Sequence, residues 1–132
     1  MLPAVSRALK QKIMATIHLN KSEFAQKVAD PAGYPTAWKF VGGRPAVIDF
    51  YASWCGPCRA LSPVLEELSD EYAGKVDIYK VDVDENPELA AAFGIRSIPT
   101  LLFAAGEGKP RISVGGMSKS QLEGVIAELL KA

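Results

Sequence analysis

The chain has 132 residues, a hydrophobic fraction of 48%, and 15 basic against 15 acidic side chains, a composition typical of one soluble globular domain. The zero net charge gives no electrostatic basis for binding nucleic acid or an anionic membrane, and no apolar run reaches the roughly 18 residues of a membrane span. Both of its two cysteines lie in one short motif, so a reducing compartment, the cytoplasm, is expected.

The first 13 residues are predicted to form a flexible extension ahead of a single domain that spans residues 14–132. This segment carries three basic side chains and no acidic one, and its apolar residues recur at helical spacing. An alternative is that it belongs to a targeting segment, which would place the protein in the periplasm or in an organelle. The segment lacks the apolar core of a secretory signal, so the extension is preferred.

A short strand and a capped helix are predicted at the start of the domain. The strand covers residues 16–19. Asn20 and Glu23 have the spacing of a capping box, in which each side chain accepts a hydrogen bond from the other residue's backbone N–H. This pair predicts a helix that begins after Asn20 and ends near Val28.

A loop and a buried strand follow. Residues 30–43 hold two prolines and three glycines, which predicts a loop, with a turn of helix around Trp38. Residues 45–52 are almost continuously apolar, as in strands that are covered on both faces of a parallel sheet. Asp49 interrupts this run, and a strand covered on both faces offers its carboxyl no water. We therefore expect burial to raise the pKa of Asp49.

Two helices and a strand are predicted after the cysteines. Apolar side chains recur at helical spacing from Cys55 to about Tyr72, with acidic residues on the opposite face. Pro63 lies inside this helix and is expected to kink it, because proline lacks the N–H of a helical hydrogen bond. Residues 76–83 predict a strand, and residues 86–93 predict a short helix with proline at its favoured first position.

The C-terminal part predicts a β-hairpin and a last helix. Strands at 100–104 and 110–114 flank a glycine-rich turn, and Ser118 with Gln121 caps a helix that ends near Leu130. The element order is therefore βαβαβαββα. This order predicts an α/β domain with a central mixed sheet of about five strands and helices on both faces.

Both cysteines lie in Trp54-Cys55-Gly56-Pro57-Cys58, directly after the predicted strand. Two thiols at this spacing close into a disulfide with little backbone movement, and the positive end of a helix that begins at Cys55 favours the nucleophilic thiolate there. One alternative is a static disulfide. Another is a metal site, but this needs about four ligands and His18 is the remaining soft ligand, so no metal is predicted. A cluster shared between two chains stays open.

The chain resembles the thioredoxin family over residues 14–130. The resemblance is carried by the strand and motif at 49–58, then by Pro63, Lys80, Asp84, residues 86–87, residues 94–101, Gly106 and Gly115. Tyr51 stands where bacterial thioredoxins usually carry tryptophan, and residues 30–44 are longer than in the shortest members. The resemblance implies the thioredoxin fold.

The resemblance also implies a role for each residue near the cysteines. Cys55 is the expected exposed attacker, and Cys58 is more buried and resolves the mixed disulfide by attacking the sulfur of Cys55. Gly56 and Pro57 restrain the turn between them and accompany a reducing potential. Pro99 is expected to form a cis peptide bond and to lie against the cysteines, although trans is the commoner isomer of bonds to proline.

Two further sets of side chains are expected to serve the reaction. Asp49 exchanges a proton with Cys58, and the resemblance places Lys80 near Asp49 as a moderating charge. An apolar surface that docks substrates is expected around the cysteines, and an ordinary loop is the alternative for its last two members. The residues of this surface are Trp54, Ile98, Gly115, Gly116 and Met117.

The function that these residues indicate is thiol–disulfide exchange. The protein is expected to be a monomeric protein-disulfide reductase that acts on disulfide-containing proteins. The sequence contains no phosphate loop or dinucleotide motif, so electrons are expected from a partner, a thioredoxin reductase, and no cofactor is predicted beyond the Cys55–Cys58 disulfide. Two alternatives stay open: a disulfide oxidase or isomerase of an oxidising compartment, and a non-catalytic subunit that uses the same surface to bind a partner.

Overall fold

The computed structural model describes residues 16–131, so the predicted extension at 1–13 lies outside the described residues. Within that range, no helix has both the length and the apolar character needed to cross a membrane. The elements follow the predicted order. They are β1 (Ile17–His18), α1 (Lys21–Lys27), a 3-10 turn (Pro31–Gly33), β2 (Ala46–Tyr51), α2 (Gly56–Glu71), β3 (Asp77–Asp82), α3 (Pro87–Ala92), β4 (Thr100–Ala104), β5 (Arg111–Val114) and α4 (Lys119–Lys131).

The five strands form one mixed sheet in the order β1-β3-β2-β4-β5. The strands β1, β3 and β2 are parallel, because helical crossovers return the chain to the same end of the sheet. The strands β4 and β5 run antiparallel to their neighbours. Phe50, near the end of β2, is paired with Thr100 at the beginning of β4. This register brings the segment that follows β2 close to the segment that precedes β4.

Helices cover both faces of the sheet, and alternation along β2 divides its side chains between two cores. Ile48 and Phe50 pack in the core that includes side chains of α1 and α3. Val47 packs on the other face, in the core formed with α2 and α4. The strand is buried on both faces, as its apolar run predicted. Because Asp49 and Tyr51 follow Val47 at intervals of two, they lie on the α2 face of the sheet.

Both predicted capping boxes are present. The Glu23 N–H donates to Asn20 Oδ1 at 2.8 Å, and the Asn20 N–H donates to Glu23 Oε1 at 2.9 Å. At α4, the Gln121 N–H donates to Ser118 Oγ at 3.2 Å, and the Ser118 N–H donates to Gln121 Oε1 at 2.9 Å. These bonds satisfy backbone N–H groups that have no partner within the helix, and they explain why α1 and α4 begin where predicted.

The loop between α1 and β2 differs from its prediction. Its turn of helix lies at Pro31–Gly33 and not around Trp38. The Asp30 side chain accepts a hydrogen bond from the Ala32 N–H at 3.0 Å, which begins the turn at this point. Trp38 instead packs its ring edge-on against Phe93, with the ring centroids 5.9 Å apart. Tertiary packing therefore determines the second half of this loop.

Candidate active site

Cys55 and Cys58 form a disulfide at the beginning of α2, with their Cα atoms 5.2 Å apart. Cys55 is the N-cap residue of this helix, and its sulfur accepts a hydrogen bond from the Cys58 N–H at 3.2 Å. The Cys55 N–H donates to the Ala52 carbonyl at 3.2 Å, which ties the motif to the end of β2. The Cys55 sulfur therefore lies at the positive end of the helix dipole, where a thiolate is stabilised. The helix continues through Pro63 to Glu71.

Both cysteines are buried in this disulfide state. Cys55 is 4% exposed and Cys58 is 2% exposed. The expectation of an exposed Cys55 was wrong for this state, because Ala52 packs against the two cysteines and Tyr51 and Ile98 pack around the same cluster. The difference in exposure between the two cysteines is small, so their distinct positions on the helix provide the stronger asymmetry.

The segment before β4 lies over the disulfide. The Ile98–Pro99 peptide bond is cis, as predicted, and the Ile98 carbonyl oxygen lies 3.8 Å from the Cys55 sulfur. The Gly115 N–H donates to the Pro99 carbonyl at 2.8 Å, so the loop after β5 holds this segment in place. Gly115 has a φ of 95°, a conformation that favours glycine because it has no Cβ. The structure thus brings Pro99 and Gly115 together beside the cysteines.

The residues predicted to form the docking surface lie in different environments. Trp54 is 67% exposed, and its indole N–H donates to the Asp84 carboxylate at 2.7 Å. Ile98 is half-buried and packs against the cysteines. Gly116 is exposed, whereas Met117 packs partly on the core between the sheet and the helices α2 and α4. Trp54 and Ile98 therefore provide the accessible apolar surface next to the disulfide.

Asp49 is fully buried, and neither of its carboxyl oxygens has a hydrogen-bond partner among the described residues. Burial raises the pKa of Asp49 from 3.8 to about 6, and the attraction of the Lys80 ammonium opposes this rise. Asp49 is paired with Lys80 in the parallel register of β2 and β3. The carboxyl lies on the face covered by α2, whose first turn holds Cys58. The buried acid expected from the interrupted apolar strand is therefore present.

Two groups that were not predicted hold the Lys80 ammonium. Its Nζ donates to Ser62 Oγ at 2.9 Å and lies 4.5 Å from the centre of the Tyr51 ring. Ser62 follows Cys58 by four residues, so helical spacing was the signal that identifies it as a neighbour on the same helix face. Tyr51 follows Asp49 by two residues, so strand alternation was the corresponding signal for Tyr51.

His18, considered above as a metal ligand, contacts Tyr51. Its Nδ1 lies 3.0 Å from Tyr51 Oη, and the two rings meet edge-on with centroids 5.8 Å apart. Across residues 16–131, no group of three or more His, Cys, Asp and Glu side chains is arranged to hold a metal ion. The contact with Tyr51 joins the edge strand β1 to the end of β2, next to the cysteine motif.

Comparisons with known proteins point to one family. A family model described as Thioredoxin matches residues 15–128. A thioredoxin of Borreliella burgdorferi is 45% identical over 112 residues, which cover 85% of this chain and 95% of that protein. Thioredoxin 1 of a Nostoc species is 44% identical over 108 residues, which cover 82% of this chain and 91% of that protein. A solved structure of a mutant thioredoxin from Halobacterium salinarum aligns with a TM-score of 0.72 and 29% identity, over 90% of this chain and 94% of that chain.

Proposed function

Because the chain belongs to the thioredoxin family and is a thiol–disulfide oxidoreductase that reduces protein disulfides, we propose that Cys55 attacks the substrate and Cys58 resolves the intermediate. The observation that carries this assignment is the Cys58 N–H directed at the Cys55 sulfur at the start of α2. In the reduced protein, the same N–H and the helix dipole stabilise a thiolate on Cys55. Cys58 lies inside the first turn and does not have this position.

The proposed exchange takes two steps. The Cys55 thiolate attacks one sulfur of a substrate disulfide, that S–S bond breaks, and one substrate sulfur leaves as a thiolate while a bond forms between Cys55 and the other. Cys58 then gives up its proton and attacks the Cys55 sulfur, which releases the second substrate sulfur. Two electrons have passed to the substrate, and the protein is left with the Cys55–Cys58 disulfide.

We assign the proton of Cys58 to Asp49. A carboxylate with a pKa of about 6 is a better proton acceptor at neutral pH than one with the ordinary value of 3.8. Asp49 lies on the face of the sheet that α2 covers, and the positive charge of Lys80 stabilises its ionised form. Asp49 is thus the proposed base of the resolution step, and Lys80 moderates its proton affinity.

Protein substrates are proposed to dock where Trp54 and Ile98 expose apolar surface beside the disulfide. The Ile98 carbonyl, 3.8 Å from the Cys55 sulfur, is positioned to accept a backbone hydrogen bond from an extended substrate chain. Pro99 holds this carbonyl against the motif, and the hydrogen bond from Gly115 supports Pro99 from behind. The neighbouring Gly116 and Met117 extend the same loop.

The proposed electron donor is a thioredoxin reductase. The sequence contains no dinucleotide-binding motif, so the electrons that reduce the disulfide after each turnover have to come from outside the chain, and a reductase protein is the proposed source. The pairing of both cysteines in one exchange motif supports action in a reducing compartment, the cytoplasm, and we propose that the protein acts there as a monomer. Residues 14–132 are proposed as its domain, since the family match begins at residue 15.

The assignment of the two cysteines is tested by trapping. With insulin as substrate and dithiothreitol as reductant, the wild-type protein should accelerate reduction. In a separate reaction with pre-reduced protein and no dithiothreitol, Cys58→Ser should accumulate a mixed disulfide with the substrate, because no second thiol resolves it, whereas Cys55→Ser should trap nothing. Equal trapping by the two variants would contradict the assignment. A reduction potential in the range of a disulfide oxidase would contradict the direction of electron flow.

A further inference from the structure

The Lys80 ammonium acts on Asp49 without touching it, so the position of the ammonium determines its effect. Among residues 16–131, no ion pair joins these two side chains, and Lys80 Nζ donates instead to Ser62 Oγ. The Coulomb energy of two charges falls with their separation and is screened less inside a protein than in water. Any group that holds Nζ in place therefore influences how strongly the Asp49 carboxylate is stabilised.

Tyr51 is the second group in contact with this ammonium, and its ring is fixed. The ring centre lies 4.5 Å from Lys80 Nζ, within the range of cation–π attraction. His18 Nδ1 lies 3.0 Å from Tyr51 Oη, and Tyr51 also packs against the cluster that contains the disulfide. The strand register supports this arrangement, because His18 is paired with Lys80, and Lys80 is paired with Asp49, in one row across β1, β3 and β2.

We propose that Tyr51, held by His18, is a positioning residue that fixes the Lys80 ammonium and thereby sets the charge environment of Asp49 in the resolution step. This inference rests on the proton-accepting role proposed above for Asp49. Tyr51 acts through its neutral ring, since burial and nearby carboxylates raise its pKa to about 12 and the hydroxyl keeps its proton. The ring attracts the cation but takes no proton from it.

The groups that titrate or carry charge around Tyr51 and Asp49 come from each element packed against these two side chains. Lys80 on β3 faces both Tyr51 and Asp49, and the remaining groups face Tyr51. These are Asp49 on the same strand, His18 on β1, Cys58 on α2, and Asp82 and Glu85 at the end of β3. Lys80 is the cation in this set that acts on Asp49, so a displaced ammonium should make the carboxyl hold its proton to higher pH.

The test is a titration of the Asp49 carboxyl carbon by NMR in the oxidised full-length protein. Tyr51→Leu removes the ring, and Tyr51→Phe keeps the ring but loses the hydroxyl contact with His18. Lys80→Met removes the charge itself. Tyr79→Leu is the matched control, because Tyr79 lies on the neighbouring strand but packs in the core on the opposite face of the sheet. The pH profile of mixed-disulfide resolution is measured for the same variants.

Tyr51→Leu should raise the Asp49 midpoint by about half a pH unit, which corresponds to a loss of about 0.7 kcal/mol from the attraction between Lys80 and the Asp49 carboxylate. Tyr51→Phe should raise it less, Tyr79→Leu should leave it unchanged, and the resolution profile should move with the midpoint. The double variant Tyr51→Leu/Lys80→Met should titrate like Lys80→Met alone, since Tyr51 acts through Lys80. A Tyr51→Leu midpoint that is unchanged or lowered, or a double variant that differs from Lys80→Met, would overturn the inference.

A further variant keeps the test available if Tyr51→Leu does not fold. His18→Leu changes an exposed side chain and should also raise the Asp49 midpoint, because the ring loses its anchor. An unchanged midpoint in this variant would overturn the inference. Failure of the proposed function is a separate result: an Asp49→Asn protein that resolves mixed disulfides at the wild-type rate would remove the role of Asp49, whatever the titrations of the Tyr51 variants show.

Discussion

Replacing Asp49 with asparagine removes a carboxyl that has to lose its charge or remain ionised without a hydrogen-bond partner. The folded pKa of about 6 lies above the ordinary value of 3.8, so the folded protein binds a proton that the unfolded chain releases between these two pH values. The contribution of Asp49 to the free energy of unfolding therefore falls as pH rises through this window, and it is constant at higher pH. At about 1.36 kcal/mol per pH unit, the whole penalty is roughly 3 kcal/mol above neutral pH.

Asp49→Asn should lack this penalty, because an amide does not ionise. Denaturant unfolding of the oxidised wild type and variant from pH 4 to pH 8 should therefore give curves that separate as pH rises. Between pH 4 and pH 7.5 the free energy of unfolding of the variant should rise relative to that of the wild type by about 2.4 kcal/mol, because about 0.6 kcal/mol of the penalty is already present at pH 4. Asp70→Asn, which changes an exposed aspartate on α2, is the control and should follow the wild-type pH dependence.

The same variant should resolve mixed disulfides slowly. Loss of a positioned base typically costs at least roughly 100-fold in rate, and the deficit should shrink at high pH, where solvent removes the thiol proton. Rapid mixing of the reduced protein with an excess of disulfide substrate forms the Cys55 mixed disulfide, and the rate at which this intermediate decays reports the resolution step. The reasoning is refuted if the difference in stability between the two proteins does not change with pH. Wild-type resolution rates at pH 7 would refute the role of Asp49 as the base.

Three shorter predictions concern other parts of the molecule. Asn20→Ala should lower the free energy of unfolding by about 1 kcal/mol through loss of the capping box, and an unchanged denaturation midpoint would contradict this. Trp54→Ala should slow insulin reduction but preserve the melting temperature and the reduction of a small disulfide, because the indole is exposed; equal losses on both substrates would argue against docking. A chain that starts at Met14 should keep its melting temperature and its insulin activity, since the family match begins at residue 15; a clear drop in either would show that residues 1–13 pack on the domain.

The parts of the fold that could be predicted are those with strong local signals. Asn20 and Ser118 begin helices through hydrogen bonds to residues three positions ahead, so short sequence patterns are enough to locate them. The run at 45–52 predicted a strand covered on both faces, and the same run indicated that Asp49 is buried. The cysteine motif identified the beginning of α2, because its spacing suits a helix N-terminus.

The parts that could not be predicted depend on contacts between distant segments. Cys55 is buried because the segment before β4 lies over it, and nothing within the motif signals that contact. Trp38 was expected in a helical turn but packs against Phe93, about 55 positions along the chain, which no local pattern reveals. The contact between His18 and Tyr51 requires the sheet register, which brings β1 beside β3 only after the crossovers have formed.

The lengths of the outermost strands bear on how this protein behaves at high concentration. An uncovered strand edge presents unpaired N–H and C=O groups that can template pairing with another chain. Here one edge of the sheet is β1, with two residues, and the other is β5, with four, whereas the longest strands, β2 and β3, are flanked on both sides. The β5 edge also begins with Arg111, which pairs with Glu128 at 2.9 Å, so a strand joining there meets charge. Such edges disfavour intermolecular sheet growth in a protein that also exposes apolar surface around its disulfide.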